Sequence, residues 1–165
     1  MTHSVTKSVT ACAIGLLVNE GRLSLDDRIT SFFPEAKATS GERTAKITVR
    51  HLLEMRTGHA SEVSGSIWRG IRTSWTDEFF RIPVVNDPGT TYVYSSAASY
   101  MLSAIVTRVT GETLHAYLRP RLFLPLGIHG EHWDIGPDGI NPGGNGLSLT
   151  TEDMLRLGIL HLQNG

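Results

Sequence analysis

Two apolar segments constrain the fold of this 165-residue chain more than any other feature. Residues 5–20 carry apolar side chains at helical spacing, and most of the other positions in this segment are apolar as well. A helix of this composition belongs in a protein interior, so we predict that it is buried nearly all round. Residues 95–109 form a second apolar segment, which Gly111 ends in the manner of a helix stop.

Capping and stop signals predict shorter helices in the rest of the chain. The predicted caps and segments are Thr48 for a helix through 51–55, Ser74 or Thr76 for one at 79–80, and Thr150 or Thr151 for 152–162. A further helix is predicted from about residue 113 to residue 123. Only residues 92–94, with 47–49 as a second candidate, look extended, and 135–146 are too rich in glycine and proline for a regular element. The predicted fold is therefore mainly α, with about five to seven helices in one domain over residues 1–165.

Composition excludes several classes of function. The net charge is −1 and the arginines are scattered, so no basic stripe is available for nucleic acid. The longest apolar run is shorter than the roughly 20 residues that span a bilayer. The seven histidines are dispersed without a His-Glu-x-x-His pattern, so we predict no metal or other cofactor and interpret His51 as a structural hydrogen-bonding residue. The single cysteine, Cys12, excludes an internal disulfide and is expected to be buried, while the compartment stays open.

The first chemical motif is Ser4-Val-Thr-Lys7, at the start of the first apolar segment. On a helix, this spacing puts the hydroxyl and the amine on one face. If Lys7 is neutral or adjoins another base, it can take the proton of Ser4 and make it a nucleophile. The free N–H groups of the same helix start can stabilise a developing oxyanion. The alternative is a polar helix start with Ser4 as its cap, since the pattern arises by chance in roughly one such chain in four.

The second motif is Tyr94-Ser95-Ser96, just before the second apolar segment. A phenol has a pKa of about 10 and is a poor base at neutral pH. An ammonium group nearby, such as that of Lys7, would lower the pKa of Tyr94 and let the pair move protons to and from Ser4. The alternative is a buried tyrosine followed by serines that cap the helix.

These motifs, in this order, resemble the serine β-lactamase and penicillin-recognising superfamily, in its class C-like branch of β-lactamase-related serine hydrolases and esterases. Residues 47–58, Ile-Thr-Val-Arg-His-Leu-Leu-Glu-Met-Arg-Thr-Gly, are similar to the family's "ITIRHLLTHTSG". Further similar segments occur in family order at 13–27, 88–96, 125–127, 144–147 and 151–158.

The resemblance implies a role for each motif residue. Ser4 is the acylated nucleophile, Lys7 its proton partner and Tyr94 the general base or acid. Ser96 takes the substrate-binding third position of the second motif, where the family often has Asn, and its hydroxyl has one donor instead of two. The implied substrates are small esters, amides or β-lactams, and a full-length protein could resemble a D-alanyl-D-alanine carboxypeptidase.

The resemblance also implies missing parts. The family's third motif, Lys-Thr-Gly or His-x-Gly on a strand, is not found, since His129-Gly130 lies in a loop-like context. We therefore expect the helical subdomain of the fold, with most of the antiparallel sheet absent from this chain. Loss of one oxyanion donor costs about 100- to 1000-fold, and fraying near the terminus could misplace Ser4, so turnover is expected to be impaired.

A different class of function therefore stays open: a catalytically inactive helical fragment that acts as a scaffold or binding module. In either case, helices that normally cover a sheet would expose their apolar face. We expect the chain to self-associate through that face, to keep an apolar patch open or to be part of a larger assembly.

Overall fold

The computed structural model describes residues 1–36, 40–62 and 68–163. Within these residues the α-helices are α1 (Thr6–Asn19), α2 (Ile29–Phe32), α3 (Val49–Leu53), α4 (Trp75–Arg81), α5 (Ser96–Thr110), α6 (Leu114–Leu118) and α7 (Thr151–Leu162). Two short strands, β1 (His132–Trp133) and β2 (Leu147–Ser148), pair antiparallel, with His132 opposite Ser148. A 3₁₀ turn at His3–Val5 precedes α1, and a π-helical turn at Arg119–Phe123 follows α6. The prediction of a mainly α fold is confirmed.

Helix α5 is the centre of the molecule. Every residue from 97 to 106 is buried, and α1, α2, α3, α4 and α6 all pack against this helix. The side chain of Ser95 accepts a hydrogen bond from the Ala98 N–H, and Gly111 ends the helix with φ 77°. Ser95 is thus the cap of a helix whose residues 97–106 are all buried, and this burial fixes the position of its first turn.

Helix α1 is buried on one face only. Thr6, Val9, Ala13 and Leu17 face the interior, whereas Val18 is 37% exposed. The prediction that this helix is buried nearly all round is therefore wrong, because α1 packs on α5 and α6 with one side and leaves the other to solvent.

Cys12 shows the same one-sided burial of α1, since its thiol is half-buried instead of fully enclosed. Burial nevertheless raises the pKa of this thiol above its usual value.

The helix caps predicted at Thr48, Ser74 and Thr150 are confirmed, and Thr113 caps α6 in the same way. In each case the hydroxyl of the residue before the helix accepts a hydrogen bond from a backbone N–H of the first turn; these residues are Thr48, Ser74, Thr113 and Thr150. His51 completes a capping box, because its Nδ1 accepts a hydrogen bond from the Thr48 N–H at 3.2 Å. The structural interpretation of His51 is therefore confirmed.

The strands lie elsewhere than predicted. Residues 92–94 are not paired in a sheet, and of residues 47–49 only the first two are extended, with Thr48 bridging Arg28. The observed pair, β1 and β2, is too short to show the alternation of side chains that identifies a strand in a sequence. It is held by the buried Trp133, whose indole N–H donates to the Pro142 carbonyl at 2.9 Å.

Two of the tryptophans belong to an aromatic cluster next to α5. Trp68 and Trp75 contact each other and Tyr100, with ring centres 5.3 to 6.0 Å apart. Asp138 stabilises this cluster. Its carboxylate accepts hydrogen bonds from the Trp75 backbone N–H and from the Tyr100 hydroxyl, each at 3.0 Å.

Neither a membrane span nor a metal cluster is found in the part of the chain described here. None of its helices combines the length and apolarity that a bilayer crossing requires. Nor do three His, Cys, Asp or Glu side chains of these residues come together as potential metal ligands.

Candidate active site

Ser4 lies in the 3₁₀ turn that leads into α1, close to the first residue of the chain. Its position is held from outside the helix, because the backbone N–H and the hydroxyl of Thr2 both donate to the Leu147 carbonyl, at 2.8 and 2.9 Å. The Thr2 hydroxyl also lies 3.1 Å from that of Thr6. These bonds fasten the N-terminal residues to β2 and oppose the fraying that the sequence suggested.

Tyr94 and Ser96 are positioned by the start of α5. The backbone N–H of Val93 donates to the Met55 carbonyl at 2.9 Å, which ties the segment before Tyr94 to the turn that follows α3. Met55 adopts φ 55°, a conformation that is uncommon for a residue other than glycine. Since α5 is rigidly packed, the position of its first turn relative to α1 is set by the core.

All four residues predicted for the site come together. The Tyr94 hydroxyl donates to Ser4 Oγ at 2.7 Å, and Lys7 Nζ donates to the same oxygen at 3.2 Å. Lys7 Nζ also donates to Ser96 Oγ at 3.2 Å. The starts of α1 and α5 therefore meet at one serine hydroxyl.

The third partner of Lys7 comes from the loop between the two strands. Lys7 Nζ donates to the Gly144 carbonyl at 2.8 Å, so all three donors of the ammonium group have an acceptor. A Cβ at Gly144 would lie 3.3 Å from Lys7 Nζ and 3.1 Å from Ser96 Cβ. A side chain at this position would therefore require Lys7 or Ser96 to shift by a few tenths of an ångström.

The environment of Tyr94 favours its ionised form. Burial acts to raise the pKa of the phenol, but the nearby Lys7 ammonium group and the hydrogen bond with Ser4 outweigh burial and hold the pKa below its usual value. Lys7 Nζ also lies 4.9 Å from the centre of the Tyr94 ring. The ring is 40% exposed, so the cluster opens to solvent on the tyrosine side.

Two residues of the site were missed by sequence reasoning. The Glu62 carboxylate accepts a hydrogen bond from the Ser96 backbone N–H at 2.9 Å, and no local pattern in the sequence points to this contact. Gly144 belongs to a segment noted for its resemblance, but the segment suggested no role for its carbonyl. His129 and Gly130 are exposed in the loop before β1 and belong to neither strand.

The Beta-lactamase family model matches residues 1–165. The chain belongs to the Beta-lactamase family. The resemblance stated from the sequence is thereby confirmed. Within this family, the chain is 28% identical over 192 residues to penicillin-binding protein 4 of Amycolatopsis lactamdurans, covering 98% of this chain and 50% of that protein. It is 31% identical over 148 residues to lovastatin esterase of Penicillium rubens, covering 76% of this chain and 37% of that enzyme.

Solved structures show the same fold as this Beta-lactamase family chain. The penicillin-binding protein from Bacillus halodurans superimposes with a TM-score of 0.76 at 22% identity, covering 98% of this chain and 59% of that one. The chain thus spans about half or less of the length of the curated relatives named above. Another relative with a hydrolase name is esterase EstB of Burkholderia gladioli, which is 31% identical over 141 residues, covering 76% of this chain and 36% of that protein.

Proposed function

We propose that Ser4 is the nucleophile of a serine hydrolase that acts through an acyl-enzyme intermediate. The observation that carries this proposal is the meeting of Tyr94, Lys7 and Ser96 around the Ser4 hydroxyl, with the Tyr94 oxygen 2.7 Å from Ser4 Oγ. A nucleophile within hydrogen-bond reach of a base, which is itself oriented by a third group, is the arrangement that activates a serine.

Tyr94 is the base that this geometry favours. Lys7 donates to three acceptors, which suits a charged ammonium group and leaves it no lone pair for the Ser4 proton. The same positive charge stabilises a phenolate at Tyr94. Lys7 then acts by orientation and charge, while Tyr94 receives the proton.

Ser4 and Tyr94 carry the bond formation and the proton transfers of both acylation and deacylation. Ser4 Oγ bonds to the substrate carbonyl carbon as its proton passes to the Tyr94 phenolate, which gives a tetrahedral oxyanion. The C–O or C–N bond to the leaving group breaks, and Tyr94 returns the proton to that group. Water then attacks the carbonyl carbon of the acyl-enzyme as its proton passes to the Tyr94 phenolate. The bond to Ser4 Oγ breaks, Tyr94 returns this proton to Ser4, and the carboxylic acid is released.

Small esters, amides and β-lactams are the substrates that we propose. Support comes from the names of the relatives, which include a penicillin-binding protein and esterases. The exposure of Tyr94 also places the cluster where a small carbonyl compound can reach it.

Covalent labelling tests this function. The chain and its Ser4→Ala variant are incubated with a fluorescent penicillin and with a fluorophosphonate, and intact masses are measured. We expect one adduct per chain with at least one probe, and none in Ser4→Ala. A folded chain that takes up neither probe would contradict the proposal and favour the inactive fragment that serves as a scaffold or binding module.

A further inference from the structure

Lys7 takes its third acceptor from a buried turn between β1 and β2. This turn contains residues 142–145, which we call the glycine segment. Its Gly144 carbonyl accepts the shortest bond of Lys7, 2.8 Å against 3.2 Å for each of the other two. Residues 142–144 are buried, and a buried carbonyl without a donor is unfavourable. The donors that bind this segment therefore decide where the Gly144 carbonyl lies.

Thr10 binds the glycine segment from α1. Its hydroxyl donates to the Gly143 carbonyl at 2.8 Å and lies 3.1 Å from the Thr6 carbonyl of its own helix. Because a hydroxyl has a single hydrogen, the shorter contact, to Gly143, is the better bond. Thr10 is fully buried and follows Lys7 by three positions, so the two side chains share a face of α1. One helix face thus binds two successive carbonyls of the segment.

Trp133 binds the glycine segment from β1. Its indole N–H donates to the Pro142 carbonyl at 2.9 Å and to the Asn145 carbonyl at 3.2 Å, on either side of the two glycines. The segment also lies against α5, because a Cβ at Gly143 would come within 2.0 Å of the Ser99 carbonyl oxygen. The backbone that carries the Gly144 carbonyl is therefore confined from three elements.

We propose that Thr10 and Trp133 are positioning residues for Lys7, which act through the glycine segment. They hold this segment so that the Gly144 carbonyl fixes the Lys7 ammonium group. The inference rests on the proposed function, since it concerns the orientation of a group in that mechanism. Without the Thr10 hydroxyl the buried Gly143 carbonyl loses this partner, and the backbone shifts towards another donor. The neighbouring Gly144 carbonyl moves with it.

Two substitutions at Thr10 separate its hydroxyl from its shape. Thr10→Val keeps the branched side chain and removes the donor, whereas Thr10→Ser keeps the donor and removes a methyl group. Thr107→Val is the control, because the Thr107 hydroxyl donates to the Ser103 carbonyl at 3.3 Å, one turn earlier in α5. This control removes a bond like that between Thr10 and Thr6, away from the glycine segment.

The rate of fluorophosphonate labelling is the first readout. We expect Thr10→Val to label about tenfold more slowly than the original chain, because small misplacements of catalytic groups are costly in rate. Thr10→Ser and Thr107→Val should label at close to the original rate, and circular dichroism checks that each variant folds. Equal rates in Thr10→Val and Thr107→Val would overturn the inference. Equally slow labelling of Thr10→Val and Thr10→Ser would do the same, since it would assign the effect to packing.

The titration of Tyr94 gives a second readout, which needs no acylation. The phenolate absorbance of each protein is taken as the difference from the matching Tyr94→Phe protein, and it reports how firmly the Lys7 charge is held beside the phenol. We expect the phenolate to appear at higher pH in Thr10→Val, and at the original pH in Thr10→Ser. If no probe labels the original chain, the proposed function fails, yet this titration still tests Thr10. An unmoved titration in Thr10→Val would overturn the inference.

Trp133→Phe repeats both measurements from outside α1, and decides if Thr10→Val does not fold. It removes the indole N–H that binds the glycine segment and keeps an aromatic ring. Trp75→Phe is its control, because the Trp75 indole N–H also donates to a carbonyl, that of Ile71 at 3.2 Å. We expect Trp133→Phe to slow labelling about tenfold and to move the Tyr94 titration to higher pH, and Trp75→Phe to do neither. Identical behaviour of the two variants would overturn the inference.

Discussion

The Tyr94 hydroxyl donates a hydrogen bond of 2.7 Å to Ser4, across a separation of 90 residues in the sequence. The bond exists because the starts of α1 and α5 are brought together by the packing of these helices in the core. Ser4 is also fixed from the other side, by the bonds from Thr2 to the Leu147 carbonyl. Serine and tyrosine are therefore both held by elements that belong to the folded interior.

Removal of the Tyr94 hydroxyl should abolish most of the acylation. Tyr94→Phe deletes the proposed base and leaves the ring, so we expect the rate of fluorophosphonate labelling to fall by about 100- to 10,000-fold. The exposed Tyr92, changed to Phe, is the matched control and should label at the original rate. Circular dichroism checks that both variants fold. Labelling of Tyr94→Phe at an undiminished rate would show that Tyr94 is not the general base.

The fold was predictable from the sequence where the signal is local. The caps at Thr48 and Thr150 and the stop at Gly111 were correctly predicted, because a hydroxyl or a glycine acts on backbone groups within one helical turn. The strand pair of His132–Trp133 and Leu147–Ser148 was missed, because two-residue strands are too short to show the alternation of a strand. The exposed side of α1 was also missed, since apolar composition does not tell which neighbour covers a face.

The site was predictable only where a motif carries the chemistry. Ser4, Lys7, Tyr94 and Ser96 were identified from two short patterns and a resemblance, and the structure places them together. Glu62 could not be found in this way, because its contact with Ser96 spans 34 residues and has no pattern of its own.

Loss of the Lys7 charge should raise the pKa of Tyr94. Burial acts to raise this pKa, and the nearby ammonium group of Lys7 lowers it. In Lys7→Gln we therefore expect the phenolate to appear at higher pH. Absorbance near 295 nm, taken as the difference from the matching Tyr94→Phe protein, follows this single phenol. In the original chain the labelling rate should rise with pH until Tyr94 is ionised. An unmoved Tyr94 titration in Lys7→Gln would argue against charge coupling between the two groups.

A methyl group at Gly144 should disturb the orientation of Lys7. Its Cβ would lie 3.3 Å from Lys7 Nζ and 3.1 Å from Ser96 Cβ, closer than most side-chain contacts. We expect Gly144→Ala to slow labelling about tenfold, because small misplacements of catalytic groups are costly in rate. Gly130→Ala is the control, since a Cβ there meets nothing within 4 Å. Equal labelling rates in the two variants would show that Lys7 tolerates the change.

His59 should make the free energy of unfolding decrease in acid. It is fully buried and packs on Phe79, and desolvation lowers its pKa to about 4. Because the unfolded chain binds this proton near pH 6.5, the unfolded state is favoured as pH falls from there towards 4. The loss amounts to at most about 3 kcal/mol in the free energy of unfolding.

Urea unfolding at pH 7, 5.5 and 4 measures this sensitivity. His59→Gln should lose less stability between these pH values than the original chain does, because it has no imidazole to protonate. His132→Gln should behave as the original, since the side chain of His132 is 75% exposed. Identical pH dependence in His59→Gln and the original chain would exclude His59 as the cause.

The exposed face of α7 should mediate self-association. Leu155, Ile159 and Leu162 recur at helical spacing and are 62%, 42% and 83% exposed. We expect light scattering after size exclusion to show a mass that rises with concentration, and Leu155→Glu combined with Ile159→Glu to suppress this rise. Val85→Glu, at another exposed apolar residue, should leave it unchanged. A monomeric mass at every concentration would disprove this prediction.

The position of the fluorophosphonate adduct is the most direct test of Ser4 as the nucleophile. Ser8 follows one helical turn later on α1 and is also exposed, so it reports indiscriminate reaction of serines. Peptide mapping by mass spectrometry should find the adduct on Ser4 alone, with labelling lost in Ser4→Ala and retained in Ser8→Ala. An adduct on Ser8, equal labelling of Ser4→Ala, or no adduct on the folded chain would contradict the proposed role of Ser4.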